Sequence, residues 1–405
     1  MLEQKPTSSE AISADVAIIG SGVAGAVLAH RLAMQGIKVL IIDAGKPVER
    51  AKAVDTFWKA VIKVPESAYT QTPQAMFPRV DQPNQWYVQG GPDIFKSTYL
   101  KVVGGTTWHW LGTAIRLLPN DFKTQTLFGQ GVDWPITHSD LEPYYSQAEF
   151  ELGVAGHTQF DQASGQQVRF PMPAIGQSYC DLKYAEALAH TTYKVTPTPQ
   201  ARNSVIYDNR PPCCGSSSCI PVCPIQAKYD ATVHIKKAVA AGATLMAEST
   251  AVQLIVGDDQ KVLAVQFKRW DNSQGFIKAK RFVLACHAIE TPRLLLASRS
   301  SANPTGVANR SDQVGRNLMD HPAQLSWALS DDPVYPYRGP LSTSGIENLR
   351  DGSFRQKRAA FRIEIGNDGW GWPTGAPTST AEKFARSGLT GSALDEVISN
   401  RTSRH

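Results

Sequence analysis

The stretch from Asp15 to Asp43, DVAIIGSGVAGAVLAHRLAMQGIKVLIID, decides the fold. Its first apolar run, Asp15 to Ile19, is short and ends at a glycine, which predicts a buried strand. Gly20 to Gly25 then predicts a turn, Ala24 to Gln35 a helix ended by Gly36, and Lys38 to Ile42 a second buried strand. Together these make a β-α-β unit. In that context the spacing Gly20-x-Gly22-x-x-Gly25 carries a physical meaning. The first glycine permits the tight turn, the second lets a pyrophosphate approach backbone N–H groups, and the third lets helix and strand pack closely. Asp43 ends the second strand 18 residues after Gly25. A carboxylate there can accept hydrogen bonds from an adenosine ribose. A dinucleotide site follows, set against the plainer reading of a glycine turn beside an ordinary strand-end Asp. The fingerprint does not separate FAD from NAD.

Outward from that unit, 405 residues with 42% hydrophobic and 19% charged side chains can bury one large core or two domains. Lys and Arg number 41 against 36 Asp and Glu and form no basic block, which argues against nucleic-acid binding. The opening MLEQKPTSSEAISADVAIIG lacks the order of a signal peptide, and no apolar run approaches the roughly 18 residues that span a bilayer. Pro47 to Gln89, rich in Pro, Gln and aromatic residues, reads as surface loops with short helices. Leu141 to Gly153 is spaced as a helix, and Thr158 to Gln200 reads as an inserted, loop-rich region. Thr232 to Ala241 predicts a helix, Ala251 to Val256, Val262 to Arg269 and Arg281 to Cys286 predict strands, and Ile289 to Ala297 a helix. In the tail, Phe361 to Ile365 is the best strand, with no visible partner, and Thr380 to Arg404 is helix-like.

Two further motifs carry chemistry. Val103 to Trp110, VGGTTWHW, joins two glycines that allow close backbone approach, two hydroxyl donors, and two tryptophans able to wall a flat ring. The alternative is a buried turn packed by Trp108 and Trp110. In CCGSSSCIPVCP, Cys213, Cys214, Cys219 and Cys223 place four of six cysteines within eleven residues. Such a loop can gather thiolates around a metal, and its Cys-Pro ending is shared with bacterial iron–sulfur loops. Zinc usually takes a second cysteine pair, which is lacking here, and adjacent Cys213 and Cys214 could not both form disulfides easily in so short a loop. Iron–sulfur, disulfide or free thiols, and zinc all remain open on the residues alone.

The segments GSGVAGAVLAHRLAMQG, VGGTTWHW, DWPITHSDLEPYY, CCGSSSCIPVCP, ACHAIETPRLLL and VGRNLMDHP occur in one order. From about Ser13 to Thr402 the chain resembles the large, flavin-bearing subunits of bacterial sugar and sugar-acid dehydrogenases in the glucose–methanol–choline (GMC) oxidoreductase family. The resemblance implies an α/β fold with a Rossmann-like FAD-binding domain, a cap insertion and an incomplete α+β substrate domain. The FAD domain would occupy 13–325 discontinuously (about 13–50, 90–120 and 232–325), the insertion with the cysteine loop 155–232, and the start of the substrate domain 326–405. Gly20, Gly22, Gly25 and Asp43 would hold the FAD pyrophosphate and ribose. Gly104, Gly105, Thr106 and Thr107 would lie along the flavin, with His109 and Trp110 beside it, and Val252 would meet the adenine through its backbone. His109 occupies a position at which some relatives link flavin covalently to histidine. Cys213, Cys219 and Cys223 match the ligands of a three-iron (3Fe-4S) cluster, with Cys214 as the spare thiol.

The same resemblance implies oxidation of a CH–OH group of a sugar, sugar acid or polyol, with electrons passing through FAD and the cluster to a cytochrome c subunit. It implies a small chaperone-like subunit that carries the large one across the inner membrane. That places the chain on the periplasmic side, touching the membrane only through the cytochrome; the missing signal fits a cytoplasmic protein equally. Two departures stand out. Cys286-His287 replaces the small residue usual beside the flavin, which reads as a tolerated His near the cofactor entrance. None of the nine histidines matches the family's C-terminal catalytic histidine, so no catalytic residue is assigned and an inactive, truncated cofactor-binding fragment is the alternative. An NAD-dependent dehydrogenase would leave VGGTTWHW and the cysteine loop unexplained.

Overall fold

The computed structural model describes residues 12–60, 65–69, 72, 75, 88, 90–91, 98–161, 166–367 and 377–404. Most of 61–89, expected to be surface loops, lies outside the described residues, as do 92–97 of the expected FAD segment. Two compact units divide the chain. One takes residues to His109 together with Asp230–Pro322; the other takes Trp110–Tyr229 and the chain from Ala323 onward.

The first unit is built on a six-stranded sheet in the order Thr244–Met246, Val39–Ile42, Ile12–Ile19, Gln274–Leu284, Val262–Arg269, Ser249–Val256. Its first four strands run parallel, and the last two fold back antiparallel. Val39–Ile42 and the second half of Ile12–Ile19, from Val16, are apolar at every position because both faces are covered there. Ala17, Ile19, Leu40 and Ile42 enter one buried cluster with Leu254, Phe267 and Leu294, whereas Val16, Ile18, Val39 and Ile41 enter another with Ala29, Ala33 and Ala238. The second cluster is made by helices Val23–Ala33 and Thr232–Ala240, whose alanines keep the packed surfaces close. Among the described residues no helix is long and apolar enough to cross a membrane.

In the second unit, helix His138–Leu152 is longer than its apolar spacing indicated, because Thr137 caps it and accepts the Asp140 N–H at 3.3 Å. The tail strand does have partners. Ile363–Gly366 pairs with Ser342–Ile346, which pairs in turn with Val195–Pro197. Local alternation cannot register strands this far apart in sequence, and the register is irregular between Ser342 and Gly345. Similarly, the strand expected over Arg281 to Cys286 begins at Gln274, where it pairs across a short turn with Val262–Arg269. Thr380 to Arg404 resolves into two helices, Pro377–Arg386 and Gly391–Arg404.

Gly25 leaves no room for a side chain. A Cβ there would lie 2.1 Å from the Gly20 carbonyl oxygen and 3.2 Å from Ile18 Cγ2. Gly25→Ala should therefore lower stability by about 1–3 kcal/mol through overpacking. Urea denaturation checks this, and a wild-type midpoint would contradict it.

Candidate functional site

The parallel strands end together. Ile19, Ile42 and Ala285 lie at or just past their carboxyl ends and border a cavity of about 300 Å³ within the first unit. A crevice at that end of an open α/β sheet is where such folds receive ligands. Gly20 turns the chain at φ 103°, and its absent Cβ leaves room for Ala285, whose carbonyl oxygen would otherwise lie 2.5 Å away. Helix Val23–Ala33 starts at Gly22 with no side-chain cap and no acidic residue in its first turn. Its first N–H groups, at Val23 and Ala24 on the cavity wall, are thus left for an anion.

Beside them Ser21 joins three segments. Its N–H and Oγ–H both donate to Asp43 Oδ2, at 3.0 and 2.6 Å, and its Oγ accepts the Gly104 N–H at 3.0 Å. Gly45 N–H donates to Asp43 Oδ1 at 2.9 Å. Burial pushes the Asp43 carboxyl up, and these donors and Lys101 pull it back only in part. The VGGTTWH segment forms a tight turn, Gly105–Trp108, held by Thr107 Oγ–H donating to Gly104 O at 2.6 Å and Trp108 Nε1–H donating to Val103 O at 2.8 Å.

The opposite wall is polar. Glu290 on helix His287–Ala297 pairs with Lys101 Nζ at 2.8 Å and Arg293 Nε at 2.6 Å, and accepts the Tyr99 hydroxyl. Burial acts to raise its pKa, but Lys101, Tyr99 and Arg293 outweigh that and hold it at about 2. Tyr99 stacks on His287 with ring centroids 4.7 Å apart. Burial lowers the His287 pKa despite Glu290, favouring the neutral ring.

The expected site residues therefore divide. Gly20, Gly22, Asp43, Gly105, Thr106 and Thr107 line the cavity. Gly25 and Gly104 support it from behind, by close packing and by the Ser21 hydrogen bond. Ser249, Thr250 and Ala251 line it; Val252, the next residue, does not. Trp108 is buried in the turn with the Arg50 guanidinium 4.6 Å from its ring, so it walls no ligand here. His109 is buried edge-on to Tyr69 and is not on the cavity wall. Trp110 belongs to the second unit, where its indole N–H donates to Tyr229 O at 2.7 Å. Sequence reasoning missed Ser21, Tyr99, Lys101 and Glu290. Of these, Glu290 carried a readable signal, its i,i+3 spacing to Arg293.

None of the six cysteines, five of which lie in the second unit, forms a disulfide. Cys219 is buried, Cys213 and Cys223 are half-buried, and Cys214 is exposed. Gly215 N–H points at Cys213 Sγ at 3.4 Å and Lys228 N–H at Cys223 Sγ at 3.5 Å. Burial pushes the Cys213 thiol up, and the Gly215 N–H draws it only part of the way back. Among the described residues no cysteine trio brings its sulfurs within 4.8 Å of one another, the closeness a single shared ion would need.

The GMC oxidoreductase pattern matches residues 186–323, and an NAD(P)-binding Rossmann-like pattern matches 18–48. The fructose dehydrogenase large subunit of Gluconobacter japonicus is 37% identical over 98% of this chain and 73% of its own length. This chain belongs to the GMC oxidoreductase family. A further relative, 6'''-hydroxyparomomycin C oxidase of Streptomyces lividus, is 31% identical over 81% of this chain and 59% of its own length. The gluconate 2-dehydrogenase flavoprotein of Pantoea cypripedii is 22% identical over 80% of the chain and 58% of its own length. The chain thus spans between about half and three quarters of these relatives.

For a GMC oxidoreductase the resident group is FAD, and the cavity fits its pyrophosphate end: uncapped N–H groups, a glycine with an open Cβ position, and a carboxylate at the strand end. At Gly22 an added Cβ meets nothing within 4 Å. Gly22→Ala should keep stability within about 0.5 kcal/mol of wild type yet weaken FAD binding. Thermal melts with flavin-fluorescence titration check this; equal affinity would contradict it. Glu290 supplies a pH test. Its depressed pKa means its contribution, on the order of 3 kcal/mol, is fully present above pH 4.5 and is lost as pH falls towards about 2. Glu290→Gln should lower stability at neutral pH and flatten its dependence across that window, read by melts at stepped pH.

Proposed function

We propose that this chain binds FAD and belongs to a dehydrogenase that oxidises a CH–OH group of a sugar, sugar acid or similar polyol, passing electrons through an iron–sulfur cluster to a cytochrome partner. The observation that carries the flavin part is the Ser21-linked wall of the cavity. Gly20, Gly22 and the N–H groups of Val23 and Ala24 receive the pyrophosphate, and Asp43 accepts a ribose hydroxyl with the lone pairs that Ser21 and Gly45 leave unused. The backbone beyond Ala251, at Val252, meets the adenine edge, and Gly104 to Thr107 flank the flavin. FAD, when bound, supplies the hydride acceptor. His109, away from the cavity wall, makes no covalent link. His287, stacked on Tyr99, is a wall residue and not the base that takes the hydroxyl proton.

The substrate class rests on the printed names of the relatives, fructose dehydrogenase and gluconate 2-dehydrogenase among them. A large subunit implies partners: a small chaperone-like subunit and a cytochrome c subunit that holds the complex at the periplasmic face of the membrane. The cluster reading rests on Cys213, Cys219 and Cys223 sharing one short loop, two of them with backbone N–H groups aimed at sulfur. That environment suits an anionic 3Fe-4S cluster. Gathering sulfurs more loosely than one ion needs, it suits zinc less well.

Protein purified without oxygen should carry about three irons per chain. Cys219→Ser should lose them and Cys214→Ser should keep them. Zinc in their place, or a disulfide without metal, would contradict the cluster. In the assembled dehydrogenase, with FAD present, an artificial dye should be reduced by at least one of fructose, gluconate, glucose and sorbitol. NAD reduction by those sugars would contradict the flavin route, and flavin that stays with acid-precipitated protein would contradict non-covalent binding.

A further inference from the structure

One guanidinium on the cavity wall is fixed at its stem and unspent at its tip. Arg293 lies on helix His287–Ala297, lines the cavity, and donates from Nε to Glu290 Oε2 at 2.6 Å. On an open surface such an i,i+3 pair contributes little. Here the receiving carboxylate is itself held: the Glu290 side chain is only 13% exposed, and its Oε1 takes both Lys101 Nζ, at 2.8 Å, and the Tyr99 hydroxyl. Glu290 therefore sets the direction from which the Arg293 guanidinium approaches the cavity. Arg293 Nη1 and Nη2 make no hydrogen bond or ion pair among the described residues, and 47% of the side chain is exposed. Their N–H groups form a planar fork of the shape that matches phosphate oxygens. The charges on the wall make such a fork useful. Its carboxylates, Asp43 and Glu290, already match its cations, Lys101 and Arg293, and a diphosphate brings further negative charge. The helix N–H groups at Val23 and Ala24 meet part of that charge, and open guanidinium donors on the same cavity can meet more of it.

We propose that Arg293 is a further cofactor-binding residue, whose Nη1 and Nη2 donate to a phosphate of FAD. This rests on the FAD reading above. Because the guanidinium is held through Nε before the cofactor arrives, little of its side-chain freedom is lost on binding, and the contact is a charge-assisted pair whose strength falls as salt screens it.

The test is a titration of flavin-stripped protein with FAD at low and at high salt, followed by flavin fluorescence, with far-UV circular dichroism measured on each protein. Wild type, Arg293→Gln and Arg293→Lys are compared. At low salt Arg293→Gln should bind FAD about 10- to 100-fold more weakly than wild type, the loss of one hydrogen-bonded charge pair. The gap should narrow at high salt, where the wild-type pair is screened. Arg293→Lys keeps the charge without the fork, so it should fall between the two and keep a salt dependence like that of wild type. FAD affinity unchanged in Arg293→Gln, or a loss of the same size at both salt concentrations, would overturn the inference. So would unfolding of both variants, which assigns Arg293 to the fold alone. Folded wild type that binds no FAD at either salt concentration would remove the reading underneath instead, and this inference with it.

Discussion

The first unit depends on a buried carboxylate. Asp43 is 9% exposed, and taking an ionised carboxylate out of water costs several kcal/mol unless hydrogen bonds replace its hydration. Ser21 and Gly45 supply those bonds, and Ser21 passes the connection on to the Gly104 N–H. The glycine loop, the end of the second strand and the VGGTTWH turn are thereby held at fixed positions around one cavity. The bonds do not cancel the burial, which still raises the Asp43 pKa, so a further donor such as a ribose hydroxyl would be well received.

The sheet makes that arrangement possible. Each central strand feeds one buried cluster with its odd residues and another with its even ones, so both faces are closed and the carboxyl ends stay open. Helices Val23–Ala33 and Thr232–Ala240 meet through Ala26, Ala231 and Ile235, which also pack on Val103. The helix that presents its N-terminus to the cavity and the turn that forms part of the cavity wall thus share one core. The Arg50–Asp230 ion pair and the Arg50 guanidinium over Trp108 fasten the same turn from its other side.

Much of this was legible in the sequence where the signal is local. Gly20, Gly22, Gly25 and Asp43 act through chain neighbours and short turns, and their spacing announced them. The cysteine loop announced itself by composition. What the sequence hid depends on contacts made at long range. Tyr99, Lys101 and Glu290 lie as much as 191 positions apart and meet only because the parallel strands end together. Ser21 occupies a variable position of the fingerprint, so its three hydrogen bonds left no trace in the pattern. Trp108 looked like a ligand wall and is a packing residue, because an aromatic residue after a glycine pair serves either role.

The account stands most directly on which dinucleotide the cavity accepts. Flavin-stripped protein titrated with FAD and, separately, with NAD, followed by protein and flavin fluorescence, decides it. The account predicts saturable FAD binding that is weakened in Gly22→Ala and unaffected by excess NAD. Saturable NAD binding that displaces FAD, or no FAD binding by a folded protein, would contradict it.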